Sequence, residues 1–354
     1  MKALVLAGGL GTRLRPITYT RAKQLVPVAN KPVIEYGIEA LAEAGIKQFG
    51  IIVGDTGPAV EACVGDGSRW GIEITYIPQS APLGLAHAVL TALPFLGDDD
   101  FVMYLGDNLI KSSVLTLVTE FQTYKPAATI LLTPVPNPSD FGVAELANDR
   151  VARLQEKPKE PKSNLALVGV YLFDRRIHDS IAVLKPSARG EYEITDAIQG
   201  LIDSQLEVRS HIVEGWWKDT GTVDAMLEAN RLILEDVEPC VWGELDDVSR
   251  VEGRVQIGKG TVVRNSIVRG PTVIGAGCVI EDSYVGPFTA LADNTRLIST
   301  EIENSIVMDD CLIEDAPSRL ESCLIGRGAT IKRQKGMPRS MQLVLGDSSS
   351  VVLP

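Results

Sequence analysis

The chain has 354 residues, with 34 Lys and Arg against 46 Asp and Glu and a formal net charge of −12. At about 150 residues per domain this length suggests two domains, with enough chain to bury a core unaided by staples. An acidic surface repels phosphate backbones and excludes general nucleic-acid binding, though not a local basic pocket; 45% hydrophobic and 23% charged residues exclude a largely disordered chain.

Through about residue 235, short apolar runs alternate with longer helical ones. Residues 2–6, 48–53, 73–77, 101–105 and 129–135 are rich in Val, Ile, Leu and aromatics and read as strands. Residues 33–44 have helical spacing, with Ile34, Ile38, Leu41 and Ala42 on one face and Gly45 as a stop. Residues 85–93 and 113–124 repeat the pattern. Strand, helix, strand in succession predicts an α/β, Rossmann-like domain with a mostly parallel sheet, whose ligands bind beyond the carboxyl ends of the strands.

From about residue 240 helical periodicity is replaced by aliphatic residues every six positions: Val251, Ile257, Val263; Val268, Ile274, Ile280; Val285, Leu291, Leu297. Ile306 and Leu312, then Ile325 and Ile331, continue more loosely. A fixed period means one unit stacked on itself, and six residues per side fits a parallel β-helix with triangular coils. Beyond about residue 336 the repeat is lost, leaving an irregular tail. The expected domains are 1–236 and 237–354.

The five cysteines (Cys63, Cys240, Cys278, Cys311, Cys323) are scattered, lack a CxxC pair and have only His87, His178 and His211 for company. Neither a zinc site nor a disulfide framework is expected. The apolar start over residues 1–8 is too short for a signal peptide, and no run approaches the ~20 apolar residues of a membrane helix. A cytoplasmic protein without membrane partners is expected.

The first strand leads into Gly8-Gly9-Leu10-Gly11-Thr12-Arg13-Leu14. Such glycines allow close backbone approach to a phosphate or base, although alone they could equally form a plain tight turn. The spacing is neither that of a Walker loop nor G-x-G-x-x-G. Arg13, Arg15, Lys23 and Lys31 follow closely in an otherwise acidic chain, which suits a polyphosphate.

These residues, with Pro16, Lys23-Gln24-Leu25-Val26-Pro27-Val28 and Lys31-Pro32, resemble the signature of sugar-1-phosphate nucleotidylyltransferases. Further matches follow in order: Pro82-Leu83-Gly84-Leu85-Ala86, Leu105-Gly106-Asp107-Asn108, Glu156-Lys157-Pro158, Ala188-Arg189-Gly190-Glu191-Tyr192-Glu193-Ile194-Thr195-Asp196 and Trp217-Lys218-Asp219-Thr220-Gly221. Within the family the chain most resembles the long type of glucose-1-phosphate thymidylyltransferase, in which a left-handed β-helix follows the catalytic domain.

The resemblance implies that a sugar 1-phosphate attacks the α-phosphorus of a nucleoside triphosphate and expels pyrophosphate. No protein nucleophile is needed, so positioning and charge neutralisation carry catalysis. It implies dTTP and glucose 1-phosphate as substrates and Mg²⁺ as cofactor, held by Asp107 and Asp219. Arg13 and Lys23 would neutralise the triphosphate, with Gly9, Gly11 and Thr12 in the nucleotide loop, and Lys157 and Arg189 would hold the sugar phosphate. Leu6, Gly8, Gln79 and Gly84 match base-recognition positions; Gly142, Glu156 and Tyr171 match sugar-contacting ones. A Gln amide can read the edge shared by thymine and uracil but barely separates the two. His87, on the helix after Gly84, reads as a structural histidine.

A uridylyl- or amino-sugar-specific enzyme stays open, as does a non-catalytic regulatory paralogue, although Lys23, Asp107 and Asp219 are all present. An added acyltransferase activity lacks a histidine base, because none follows His211. A homo-oligomer is expected. The β-helix holds none of the residues assigned to chemistry, so a chain ending near residue 236 would keep its sites and lose stability or assembly.

Overall fold

The computed structural model describes residues 1–148, 150–334, 336–337 and 341–353. They form two compact units: Met1–Leu10 with Val33–Asp219, and Gly11–Pro32 with Thr220–Pro354. The helix Val223–Leu234 and the early segment Gly11–Pro32 both belong with the C-terminal repeats.

In the first unit Lys2–Ala7 lies at the heart of a nine-stranded sheet, parallel to Gln48–Val53 on one side and to Phe101–Leu105 on the other. Glu73–Pro78 extends the parallel region. Strands covered on both faces need near-continuous apolar runs, and Ala3, Leu4, Val5 and Ala7 are fully buried. The helices Val33–Glu43, Leu85–Thr91 and Val114–Tyr124 fall where their spacing predicts. Farther along, Leu165–Phe173 runs antiparallel to both Phe101–Leu105 and Ala128–Pro134, so the sheet is mixed beyond its parallel core. The hairpin Gly142–Ala147 and Arg150–Glu156 forms that edge.

In the second unit Gly11–Pro32 makes three single-turn helices and then a tight hairpin, Pro27–Val28 against Lys31–Pro32. The hairpin turns through Ala29 and Asn30, both with positive φ (47° and 63°), as its twist requires. This hairpin is pinned to the repeats. Asn230, on Val223–Leu234 and fully buried, accepts from Ala29 N at 2.9 Å and donates to Phe288 O at 2.9 Å. Asn30 donates to Leu291 O at 2.6 Å. A Cβ on Gly326 would stand 3.0 Å from Ile17 Cδ1, so this end of the segment also touches the repeats.

The repeats form three parallel sheets of six, six and five strands, stacked as in a left-handed β-helix. Coils repeat in steps of seventeen residues: Val251 pairs with Val268 and Val268 with Val285, while Ile257, Ile274 and Leu291 align on a second side. In the fourth coil the register carries Leu291 to Val307 and Leu297 to Ile313. The expected continuation through Ile306 and Leu312 is therefore displaced by one residue. Corner positions stack too: Gly260, Gly277, Asn294, Asp310 and Gly328 all have positive φ, as do Asn265, Asp282, Ser299 and Asp315. Gly, Asn and Asp tolerate that conformation best. Hydroxyls seal the turns, with Ser266 Oγ accepting from Ser283 N and Ser283 Oγ from Thr300 N. No helix or strand follows Lys332 among the described residues; residues 338–340 and 354 of the expected tail lie outside them. Among the described residues no helix is long and apolar enough to cross a membrane.

Candidate active site

Within the first unit, Asp107 follows the strand Phe101–Leu105 and is only 6% exposed. The next residues, Asn108–Ile110, pair antiparallel with Trp217–Asp219, which sets Asp219 directly opposite Asn108. Two aspartates remote in sequence thus meet at one end of a short ribbon. Asn108 orients the first of them: its Nδ2 donates to Asp107 Oδ1 at 3.1 Å, and its Oδ1 accepts from Trp217 Nε1 at 2.5 Å and Gly169 N at 3.2 Å. A Cβ at Gly169 would lie 2.6 Å from that Oδ1, so only glycine fits. Tyr104, which donates to Asn108 O at 3.1 Å, has its phenol pKa pushed up by burial and then by the Asp107 charge. Asn108 was legible in the sequence only as part of a motif; its role depends on partners far along the chain.

Among the described residues no group of three or more His, Cys, Asp or Glu could hold a metal. Two hard carboxylates fit Mg²⁺, which keeps several waters and takes further oxygens from substrate phosphates. The same pair would be a poor cage for zinc.

The sugar-side candidates also converge. Gly142 pairs with Glu156 across the edge hairpin, and a Cβ there would stand 3.1 Å from Glu156 Oε2 and 2.7 Å from Thr195 Cγ2. Glu156 accepts from Arg189 Nη1 at 3.0 Å and from Thr195 Oγ1 at 3.3 Å. Arg189 also reaches Glu191 at 2.9 Å and Glu193 at 3.7 Å. Burial works against its charge, but Glu193, Glu191 and Glu156 together hold its pKa above the ordinary value. Burial likewise raises the Glu193 carboxyl. Arg189 and Glu156, expected to serve phosphate and hydroxyls separately, are thus one ion pair. Tyr171 is 4% exposed and stacked on Phe173; burial, then the Glu156 charge, raises its phenol pKa.

Lys157 is exposed and has φ +40°, unusual for a side chain of its kind, with its N donating to Phe141 O at 3.0 Å. Phe141 meets the edge of Trp217 at 5.5 Å, and Trp217 in turn holds Asn108. A backbone held in that sparsely populated region needs surrounding support, which is common at functional sites.

The base-side candidates gather beyond the strands Lys2–Ala7 and Glu73–Pro78. Leu6 is 8% exposed, and a Cβ on Gly8 would meet Gln79 Oε1 at 3.4 Å. Gln79 Nε2 lies 2.8 Å from His87 Nδ1, a contact the sequence did not disclose. Gly84, with φ +106°, packs so tightly that a Cβ would fall 2.5 Å from Tyr192 O. Tyr192 N donates to Leu83 O at 2.8 Å and Ala86 N to Tyr192 O at 3.1 Å, which joins this loop to the segment carrying Arg189.

Gly11, Thr12, Arg13 and Lys23 lie in the second unit. Gly11 has φ +60°, and a Cβ on it would stand 2.8 Å from Lys23 Cβ. Thr18 Oγ1 donates to Gly11 O at 2.7 Å. The loop therefore closes on itself, with Arg13 exposed and Lys23 half-buried.

The family model for nucleotidyl transferases matches residues 2–236. A glucose-1-phosphate thymidylyltransferase of Streptomyces antibioticus is 56% identical over 353 residues, 99% of each chain. The low-salt glycan biosynthesis nucleotidyltransferase Agl11 of Haloferax volcanii is 47% identical over 358 residues, covering 100% of both. Among solved structures, a UDP-glucose pyrophosphorylase complexed with UDP-glucose superposes with a TM-score of 0.60 at 27% identity, covering 66% of this chain and 98% of that one. With Asp219 set opposite Asn108, the neighbour of Asp107, and with relatives matching throughout its length, the chain belongs to the nucleotidyl transferase family.

Proposed function

We propose that the chain is a glucose-1-phosphate thymidylyltransferase, converting dTTP and α-D-glucose 1-phosphate to dTDP-glucose and pyrophosphate. The observation that carries this reading is the ribbon that sets Asp219 opposite Asn108 and beside Asp107, in a chain 56% identical to an enzyme of that name. A phosphate oxygen of the sugar 1-phosphate forms a bond to the α-phosphorus while the bond to the bridging oxygen of the β-phosphate breaks. Asp107 and Asp219 would hold Mg²⁺, which when bound would supply positive charge to offset the negative charge of the phosphates. Asn108 keeps the Asp107 carboxylate oriented. Arg13 and Lys23 neutralise the triphosphate, and Lys157 binds the sugar phosphate. Glu156 accepts sugar hydroxyls through lone pairs that Arg189 and Thr195 leave available, with Gly142 and Tyr171 lining the same place. Gln79 reads the base beside Leu6, Gly8 and Gly84. We place the enzyme in the cytoplasm, as cysteines that form no disulfide among the described residues suit, and expect a homo-oligomer.

UTP is the competing nucleotide, because Gln79 reads an edge that uracil shares and a UDP-glucose enzyme has the same fold. Pyrophosphate release measured with four nucleoside triphosphates and several sugar 1-phosphates decides. The expected result is the highest kcat/KM with dTTP and glucose 1-phosphate; preference for UTP or an amino-sugar phosphate would replace the proposal.

Lys157→Ala should raise KM for glucose 1-phosphate and lower turnover. A charge-assisted bond to phosphate is worth about 1.5–3 kcal/mol, roughly ten- to a hundredfold in kcat/KM. Wild-type kinetics would return Lys157 to the status of a surface charge.

A further inference from the structure

We propose that His87 is a positioning residue that fixes which way round the Gln79 amide faces the base, and so selects thymine or uracil against cytosine. The inference rests on the assignment of Gln79 to base recognition. Gln79 is anchored at its backbone, whose N donates to Val53 O at 2.8 Å. Its side chain would otherwise rotate freely about its last torsion, and the two ends of an amide differ only in hydrogen-bonding sense. In this structure Nε2 stands 2.8 Å from His87 Nδ1 and Oε1 faces Gly8. The amide N–H donates, so His87 Nδ1 accepts and the ring carries its proton on Nε2.

The imidazole is itself held. Its helix begins against Tyr192, Thr91 Oγ1 donates to His87 O at 2.9 Å, and its ring stacks on Tyr192 with centroids 6.2 Å apart and planes at 29°. One Nε2 hydrogen is therefore committed to His87. What remains for the base is one N–H donor beside one carbonyl acceptor, in fixed order. Thymine and uracil present an acceptor at O4 and a donor at N3, which this order matches. Cytosine presents a donor at N4 and an acceptor at N3, and needs the amide turned over. Turning it would set Gln79 Oε1 against His87 Nδ1, which can donate only once the ring moves its proton from Nε2 to Nδ1. Selection thus comes partly from the cost of that second change, one residue removed from the base.

The test compares kcat and KM for dTTP and dCTP in the full-length wild type, His87→Leu, His87→Gln and Gln79→Leu. His87→Leu should lower the dTTP:dCTP ratio of kcat/KM roughly five- to tenfold, the worth of about one hydrogen bond, with the loss in KM for dTTP rather than in kcat. His87→Gln, whose carbonyl can still accept from Gln79, should recover much of the ratio. A His87→Leu enzyme with lowered thermal stability but the wild-type ratio would overturn the proposal and leave His87 merely structural. If Gln79→Leu itself leaves nucleotide kinetics unchanged, the base assignment fails. If Gln79→Leu alters selectivity and the His87 variants do not, only the lock fails.

Discussion

Asp219→Asn and Asp107→Asn should each remove most of the turnover while leaving the fold intact. Each change replaces a full negative charge with a neutral amide of the same shape. Asn108 Nδ2, which donates to Asp107 Oδ1 at 3.1 Å, can donate equally to an amide oxygen, so the ribbon keeps its bonds. What is lost is the charge that would hold Mg²⁺ against the phosphates. Lewis-acid stabilisation is worth several kcal/mol, so turnover should fall roughly a hundredfold or more. Pyrophosphate release against Mg²⁺ concentration, with thermal unfolding run alongside, separates lost chemistry from lost fold. An Asp219→Asn enzyme with wild-type turnover and unchanged Mg²⁺ dependence would refute the metal assignment.

A chain ending at Asp236 should be nearly inactive, although the residues proposed for chemistry all precede that point. The reason is the anchorage of Gly11–Pro32. Truncation removes Phe288, Leu291 and Gly326, and with them the acceptor of Asn230 Nδ2, the acceptor of Asn30 and the surface against Ile17. The loop carrying Arg13 and Lys23 would lose its support. Misplacing a catalytic group by about 1 Å can cost a hundredfold in rate. Asn230→Ala probes the same support in the full chain by stranding Ala29 N and Phe288 O, each at about 1–3 kcal/mol. Turnover and thermal midpoint should both fall. A truncated chain with full activity would restore the simpler division of labour expected from sequence, in which the β-helix serves only stability or assembly.

Much of the first unit is legible in its sequence because strands buried on both faces are written as apolar runs. The exception is Leu165–Phe173, an apolar stretch interrupted by Gly169, whose purpose is clear only once Asn108 is seen against it. The β-helix is legible through its aliphatic ladder, and misread only where a shortened coil passes the inward place from Ile306 to Val307. Site residues are harder. Aspartates and lysines show through motifs, but Asn108, His87 and Asn230 act through partners distant in sequence. The attachment of Gly11–Pro32 is hidden for the same reason, since neither Asn30 nor Asn230 belongs to any local pattern that announces its acceptor.

Six residues removed from the β-helix would return an aliphatic side chain to the interior and satisfy the core. The corners would be only partly satisfied. Left-handed turns stand at all three, at Asp282, Phe288 and Asn294 and again at Ser299, Asn304 and Asp310, but the sides between them are unequal, so a shift of one side sets a longer side on a shorter one. The coil and not the side is thus the unit that repeats. Only the gain or loss of an entire coil brings core and corners back into phase, so the length of this part of the chain is quantised. Even that freedom is limited, because Phe288 and Leu291 must keep their places for Asn230 and Asn30. Coils beyond that point are held as well, because Gly326 must keep its place against Ile17.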